Sequence, residues 1–202
     1  MTYDPKIHHR RSIRLRGYDY AQAGAYFVTV CVHEGRHLLG AFQDGELQLH
    51  EPGEIVTACW QDLVRHYPHV ILDEFVVMPN HVHGIIVLSD VAAGVGAPIG
   101  VGAGLRPAPT GVTNEFKRHG VPEIVRAFKS FSARRINALR GIDHHPVWQR
   151  NYYEHIIRDG ELDRIREYVR TNPLRWACDR YNPAQGVIIV DEHGRMLPWE
   201  EQ

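Results

Sequence analysis

The sequence predicts an α+β domain: an antiparallel sheet with helices packed against it. Three observations lead there. Four or five short runs are rich in β-branched and aromatic residues, notably AYFVTVCV at 25–32 and HVHGIIVL at 81–88. Between them lie segments with apolar residues at helical spacing. The two kinds of segment alternate without strict βαβ regularity, which argues against a purely parallel sheet.

The elements follow in order. Ala25–Val32 reads as a buried strand, and Glu46–Leu49 as a short second strand after a turn at Gly45. Pro52–His66 reads as a helix, with Ile55, Val56, Cys59, Leu63 and Val64 on one side and Pro52 and Gly53 near its start. Ile71–Val77 is a strand. Met78-Pro79-Asn80 is a turn, because Pro79 cannot donate to a ladder. His81–Leu88 is the next strand. Val121–Leu139 is a helix whose apolar side holds Val125, Phe128, Ile136 and Leu139, with Ile124 and Phe131 nearby; Arg126, Lys129, Ser130, Ala133, Arg134 and Asn137 fall opposite. Trp148–Arg158 reads as an aromatic strand. Asp159–Asn172 is a third helix, with Asp159 as its expected cap and Pro173 as its stop. A short strand is expected at Val187–Val190. Residues 89–120 include a Gly-, Ala- and Pro-rich stretch without period, expected to be a flexible insertion in a surface loop. No GK[ST] follows its glycines, so it is not a phosphate loop.

Composition narrows the function. At 44% hydrophobic and 23% charged, the 202 residues are ordinary globular material. No apolar run approaches the roughly 20 residues that span a bilayer, and the polar, basic N-terminus lacks a signal-peptide core. Cys31, Cys59 and Cys178 are scattered and odd in number, which suggests neither a disulfide framework nor a zinc knuckle. A reducing, cytoplasmic setting is expected, with no membrane partner. The net charge of −1 is uninformative, but its distribution is not. Residues 1–18 carry Lys6, Arg10, Arg11, Arg14 and Arg16 against Asp4. Residues 117–150 carry eight lysines and arginines against Glu123 and Asp143. Two basic stretches on a neutral chain suggest a localised polyanion-binding surface, although arginines also simply solvate a surface.

The sharpest local signal is MPNHVHGII. Strand side chains alternate, so His81 and His83 share one face while Val82 faces the other way. Two imidazoles side by side on a rigid strand form a preformed bidentate metal site. The competing reading is a pair of core histidines satisfied by hydrogen bonds.

The apolar–His–apolar–His–apolar strand resembles the paired-histidine motif of the HUH endonucleases. PNHVHGIIVL followed far downstream by YVRTNP resembles their single-tyrosine transposase branch. RRSIRLRGYDYAQAGAYFVTVCV, WQRNYYEHIIR and IREYVRTNPLRW bring the match closer, to the REP-associated tyrosine transposases. The resemblance spans roughly residues 10–183 apart from the insertion. It implies a ferredoxin-like, RRM-like HUH domain at 19–183, a basic arm at 1–18 and a tail at 184–202. It also implies a divalent metal, Mg²⁺ or Mn²⁺, on His81 and His83. Tyr168 is implied as the nucleophile that leaves a 5′-phosphotyrosine and a free 3′-hydroxyl. Asn172 stands where the insertion-sequence branch carries a glutamine that contributes to the metal site; it is one methylene shorter, which leaves direct ligation open. No general base is assignable.

Tyr152 and Tyr153 are rival nucleophiles, although a strand Tyr-Tyr pair is more often packing or base stacking. The partner implied is single-stranded DNA folded as a REP-like hairpin, in a nucleoid setting. Arg10, Arg11, Arg14 and Arg16 on the arm, and Arg126, Lys129 and Arg134 on the helix, are candidates to track its phosphates. Trp148, Tyr152 and Tyr153 are candidates to stack its bases. Monomer and helix-swapped homodimer both remain open. Two other readings stand beside the nuclease: a hairpin-binding protein without chemistry, and a metal-dependent hydrolase of small phosphate esters.

Overall fold

The computed structural model describes residues 15, 17–90, 118–179 and 181–182. Arg10, Arg11, Arg14 and Arg16, residues 91–117 of the insertion and the strand expected at 187–190 lie outside them. The elements in chain order are β1 (Gly24–Cys31), β2 (Gly40–Gln43), β3 (Glu46–Leu49), α1 (Glu51–Gln61), α2 (Leu63–His66), β4 (Val70–Val77), β5 (His81–Leu88), α3 (Val121–Leu139), β6 (Tyr153–Ile157) and α4 (Leu162–Thr171). A 3-10 stretch, Pro173–Cys178, follows α4.

Four strands form one antiparallel sheet in the order β4-β5-β1-β6. The crossover β1-α1-β4 leaves a gap that β5 fills, and the crossover β5-α3-β6 leaves a gap that β1 fills. That is the ferredoxin-like arrangement the sequence predicted. The β2-β3 hairpin forms a separate two-stranded ribbon.

Both faces of the sheet are covered, which is why β1 and β5 read as apolar runs rather than alternating strands. Tyr26, Val28 and Val30 of β1 and Val82 and Ile86 of β5 point to the layer of α1 and α3, where they meet Val56, Trp60, Ile124 and Phe128. Phe27 and Ile85 point the other way and pack on Ile165 and Val169 of α4. Gly84 is the point of closest approach on the first face: a Cβ there would lie 2.4 Å from the Trp60 ring, which stacks on Phe75 with centroids 4.6 Å apart. A bulge in β4 between Leu72 and Phe75 breaks the alternation. Asp73 and Glu74, though adjacent, both reach α4, where they bind Arg166 and Arg170.

Several predicted boundaries move. The helix expected at 52–66 divides at Asp62 into α1 and α2. The strand expected at 148–158 is confined to β6, and Trp148 makes only an isolated bridge with Val32. The reason is Lys129, whose ammonium donates to the carbonyls of Gln149 (2.7 Å) and Arg150 (2.9 Å). Asp159 does not cap α4. Gly160 sits at φ +84°, outside helical geometry, so the helix begins at Leu162, while the Glu161 carboxylate accepts the Arg158 N–H at 2.8 Å. On α3, Phe131 and Leu139 are exposed and Ser132 is buried, where it accepts the Trp148 indole N–H at 2.9 Å.

Candidate active site

The histidine pair lies on the sheet face covered by α4. Register aligns Cys31 with His81 and Thr29 with His83, so these four share one face. Both histidines are fully buried, and their Nε2 atoms lie 3.1 Å apart.

Their neighbours orient them. Asn80 Nδ2 donates to the carbonyls of Tyr181 (2.6 Å) and Gly35 (3.2 Å), which fixes the amide and turns its Oδ1 toward His81. Nδ1 of His81, 2.9 Å from that oxygen, is therefore the protonated nitrogen of the neutral ring, and Nε2 carries the lone pair. Nδ1 of His83 pairs with the Thr29 hydroxyl at 2.8 Å, which directs its Nε2 to the same spot. A partner on Nδ1 that turns Nε2 inward is the usual support of a metal-binding imidazole.

Tyr168 projects from α4 onto this pair, with its hydroxyl 3.4 Å from His83 Nε2 and its ring 5.2 Å from the imidazole. Phe27 packs edge-on against it at 5.9 Å. Ile165 and Val169, one on each side in sequence, anchor the helix in the apolar layer. Asp73 and Glu74 anchor it at the rim through Arg166 (2.6 Å) and Arg170 (2.7 Å). Bound this way to its own chain, α4 offers the phenol to the histidines of the same chain.

Asn172 follows one turn later, at the end of α4. It is buried, and its Oδ1 has no hydrogen-bond partner among the described residues. An orphaned buried acceptor costs about 1–3 kcal/mol unless something fills it. Past the 3-10 stretch the chain turns back over the pair: the Tyr181 ring lies 4.4 Å from that of His81. His81, His83 and Asp179 form a group whose ligand atoms all lie within 4.8 Å of one another. Two imidazoles aimed at one spot and a carboxylate beside them fit a divalent cation that accepts nitrogen and oxygen ligands.

The rival tyrosines separate. Tyr153 pairs with Thr29, hence lies on the histidine face, and packs on Phe27 at 6.3 Å. Tyr152 turns to the opposite face and donates to Glu154 at 2.5 Å. Of the predicted DNA contacts on α3, Arg126 and Lys129 line a groove of about 780 Å³, together with Trp148, Gln149, Arg150 and Tyr152. Arg126 is largely exposed. Lys129 is committed to two carbonyls, and burial lowers its pKa to about 8. Trp148 is 7% exposed and belongs to the core, so it walls the groove and presents no open face for stacking, contrary to expectation. Arg134 stands apart, folded over the Phe131 ring at 4.8 Å.

Sequence reasoning missed Thr29, Asn80 and Asp179. Thr29 is the one aliphatic hydroxyl in a mostly apolar strand, and Asn80 directly precedes the first histidine; both were findable signals. Asp179 had none, since only the returning chain brings it near.

No protein-family model matches the chain. An uncharacterized protein of Haemophilus influenzae is 38% identical over 180 residues, which cover 88% of this chain and 96% of that protein. Among solved structures, the chain is similar to a REP-associated tyrosine transposase bound to a REP hairpin, at 20% identity and a TM-score of 0.49, covering 82% of this chain and 74% of that one.

Proposed function

The chain belongs to one family with the Haemophilus influenzae protein, and we propose that it is a metal-dependent HUH nuclease of the REP-associated tyrosine transposase type, acting on single-stranded DNA. One observation carries the reading: a helix-borne phenol lies 3.4 Å from one of two buried imidazoles whose Nε2 atoms meet at 3.1 Å. Hydrogen bonding alone would satisfy the polar atoms of these three side chains, but the partners already held on both Nδ1 atoms leave the two Nε2 atoms and the phenol turned to a common point, as a metal site requires.

His81 and His83 would hold a divalent metal, Mg²⁺ or Mn²⁺, with Asp179 and Asn172 as the candidate oxygen donors. When bound, that ion polarises the scissile phosphate and stabilises the charge that builds on it. Tyr168 Oη attacks phosphorus, forming the P–O bond to the phenol as the bond to the 3′-oxygen breaks. The phenol gives its proton to solvent and the departing 3′-oxygen takes one from solvent to leave as a hydroxyl, so the step is proton-neutral. The product is a 5′-phosphotyrosine that retains the bond energy, so a second 3′-hydroxyl can reverse the step without ATP. Asn80 and Thr29 keep the imidazoles in the ligating orientation throughout. The Phe27 contact and the two arginine tethers limit the rotation of α4 and hold the phenol in line.

The groove beside α3 is the proposed path of the DNA. Gln149 N–H donates to Cys31 O at 2.9 Å, and Cys31 pairs with His81, so the segment that walls the groove borders β1, the strand next to the histidine strand. Arg126 serves the phosphates there and Tyr152 is the available aromatic. The arm arginines Arg10, Arg11, Arg14 and Arg16 extend the same role.

The test uses a labelled single-stranded hairpin oligonucleotide with Mn²⁺. Wild type should give a denaturation-resistant protein–DNA adduct. Chelator should abolish it, and Tyr168→Phe should abolish it while leaving hairpin binding unchanged. An adduct of undiminished yield in Tyr168→Phe overturns the assignment of the nucleophile.

A further inference from the structure

We infer that Asp179 is a metal ligand: the chain beyond the tyrosine helix returns to the histidine pair and delivers the one carboxylate that the site needs. The inference rests on the proposed metal site and extends it to a residue outside the sequence motifs.

A dication at this site calls for a negative charge. Two neutral imidazoles and an amide oxygen bring no negative charge to a buried dication, and burying unneutralised charge is costly. Hard divalent ions depend on anionic oxygen ligands. Among the described residues two carboxylates are buried, Glu154 and Asp179. Glu154 pairs with Val28, so it points into the opposite layer, where Tyr152 occupies it. Asp179 is thus the buried carboxylate on the histidine side, with its ligand atom within 4.8 Å of both imidazole ligand atoms.

The returning chain is also held in place by its own hydrogen bonds. Asn182 Nδ2 donates to Trp176 O at 2.9 Å, closing the turn. The Tyr181 N–H donates to Asp179 Oδ1 at 2.7 Å, which fixes the rotation of the carboxylate. The Tyr181 carbonyl accepts from Asn80, the residue that also orients His81. One amide therefore couples the orientation of the first imidazole to the position of the third ligand. Trp176 seals the back of this turn, stacked on Phe42 at 5.8 Å and packed with Cys31 and Met78.

Asp179→Asn isolates the charge, because an asparagine Oδ1 still accepts the Tyr181 N–H and the side chain keeps its size. Mn²⁺ affinity is measured by calorimetric titration of the full chain without DNA, for wild type, Asp179→Asn and His81→Ala, with thermal denaturation in chelator as the folding control. We expect Asp179→Asn to lose on the order of 10–100-fold in Mn²⁺ affinity, with melting in chelator unchanged. The rise in melting temperature on adding Mn²⁺ should shrink in step, each tenfold loss removing about 1.4 kcal/mol of metal-linked stability. Wild-type affinity in Asp179→Asn, alongside lost binding in His81→Ala, overturns the role of Asp179 and leaves the histidine site standing. Absence of Mn²⁺ binding in wild type overturns both.

Discussion

Replacing Asn80 with alanine tests the architecture of the site more sharply than replacing a ligand, because Asn80 touches no substrate in the proposed chemistry. Its amide makes three hydrogen bonds, two of them buried: to Tyr181 O at 2.6 Å and to His81 Nδ1 at 2.9 Å, with a part-buried third to Gly35 O at 3.2 Å. Each bond contributes about 1 kcal/mol net, and the three groups left behind are only partly rescued by water entering the space. The expected loss is about 2–4 kcal/mol. For a chain of this size that lowers the melting temperature by roughly 5–15 °C. The imidazole of His81 also loses the partner that sets its tautomer, and the returning chain loses its tether. Metal affinity should therefore fall on the order of 10–100-fold. Asn80→Asp separates the two effects: its carboxylate can still accept from His81 but meets two carbonyls with no proton to donate. It should destabilise the chain while keeping more of the metal affinity than Asn80→Ala. The assays are thermal denaturation in chelator and Mn²⁺ titration. An Asn80→Ala protein with wild-type melting and wild-type Mn²⁺ affinity would show that the Asn80 amide neither tethers the returning chain nor orients His81.

Two further outcomes are expected. Gly84→Ala places a Cβ 2.4 and 2.6 Å from ring atoms of Trp60, which Phe75 and Phe128 hold in place. The overpacking should cost about 3 kcal/mol, read as a lowered melting temperature, and Trp60→Leu in the same chain should recover part of it; an unshifted Gly84→Ala midpoint would show that the layer is looser than drawn. Asp73 is held below the usual carboxylate range chiefly by its hydrogen bonds from Arg166. A depressed carboxyl contributes stability that is present above its unfolded pKa and is lost as pH falls through the folded one. The stability advantage of wild type over Asp73→Asn should therefore be constant above about pH 5 and shrink below about pH 4, measured by denaturant unfolding at stepped pH; a gap that does not vary with pH refutes the tether.

The histidine strand shows how far the sequence reaches. HVHGIIVL reads correctly as a strand to its ends, because a β-run next to an X-Pro turn is a local statement. Period-two alternation then puts both imidazoles on one face with no tertiary information. α3 is equally legible, since nineteen residues of helical period outweigh any competing signal. The resemblance of three separated motifs supplied Tyr168, which no periodicity singles out from the other tyrosines of the chain.

What the sequence alone left undecided was whatever depends on distant chain segments. The strand expected from Trp148 is cut short by a lysine twenty residues upstream, whose ammonium takes two ladder carbonyls. The cap expected at Asp159 fails because a glycine at positive φ delays the helix by three residues. Two successive acids, Asp73 and Glu74, face one helix only because a bulge suspends alternation. Composition and period fixed the layers and the side on which the histidines stand, because those are properties of consecutive residues. The reach of Tyr168, the tautomer of His81 and the arrival of Asp179 were decided by tertiary structure, because each is a distance between parts of the chain that local preference does not relate.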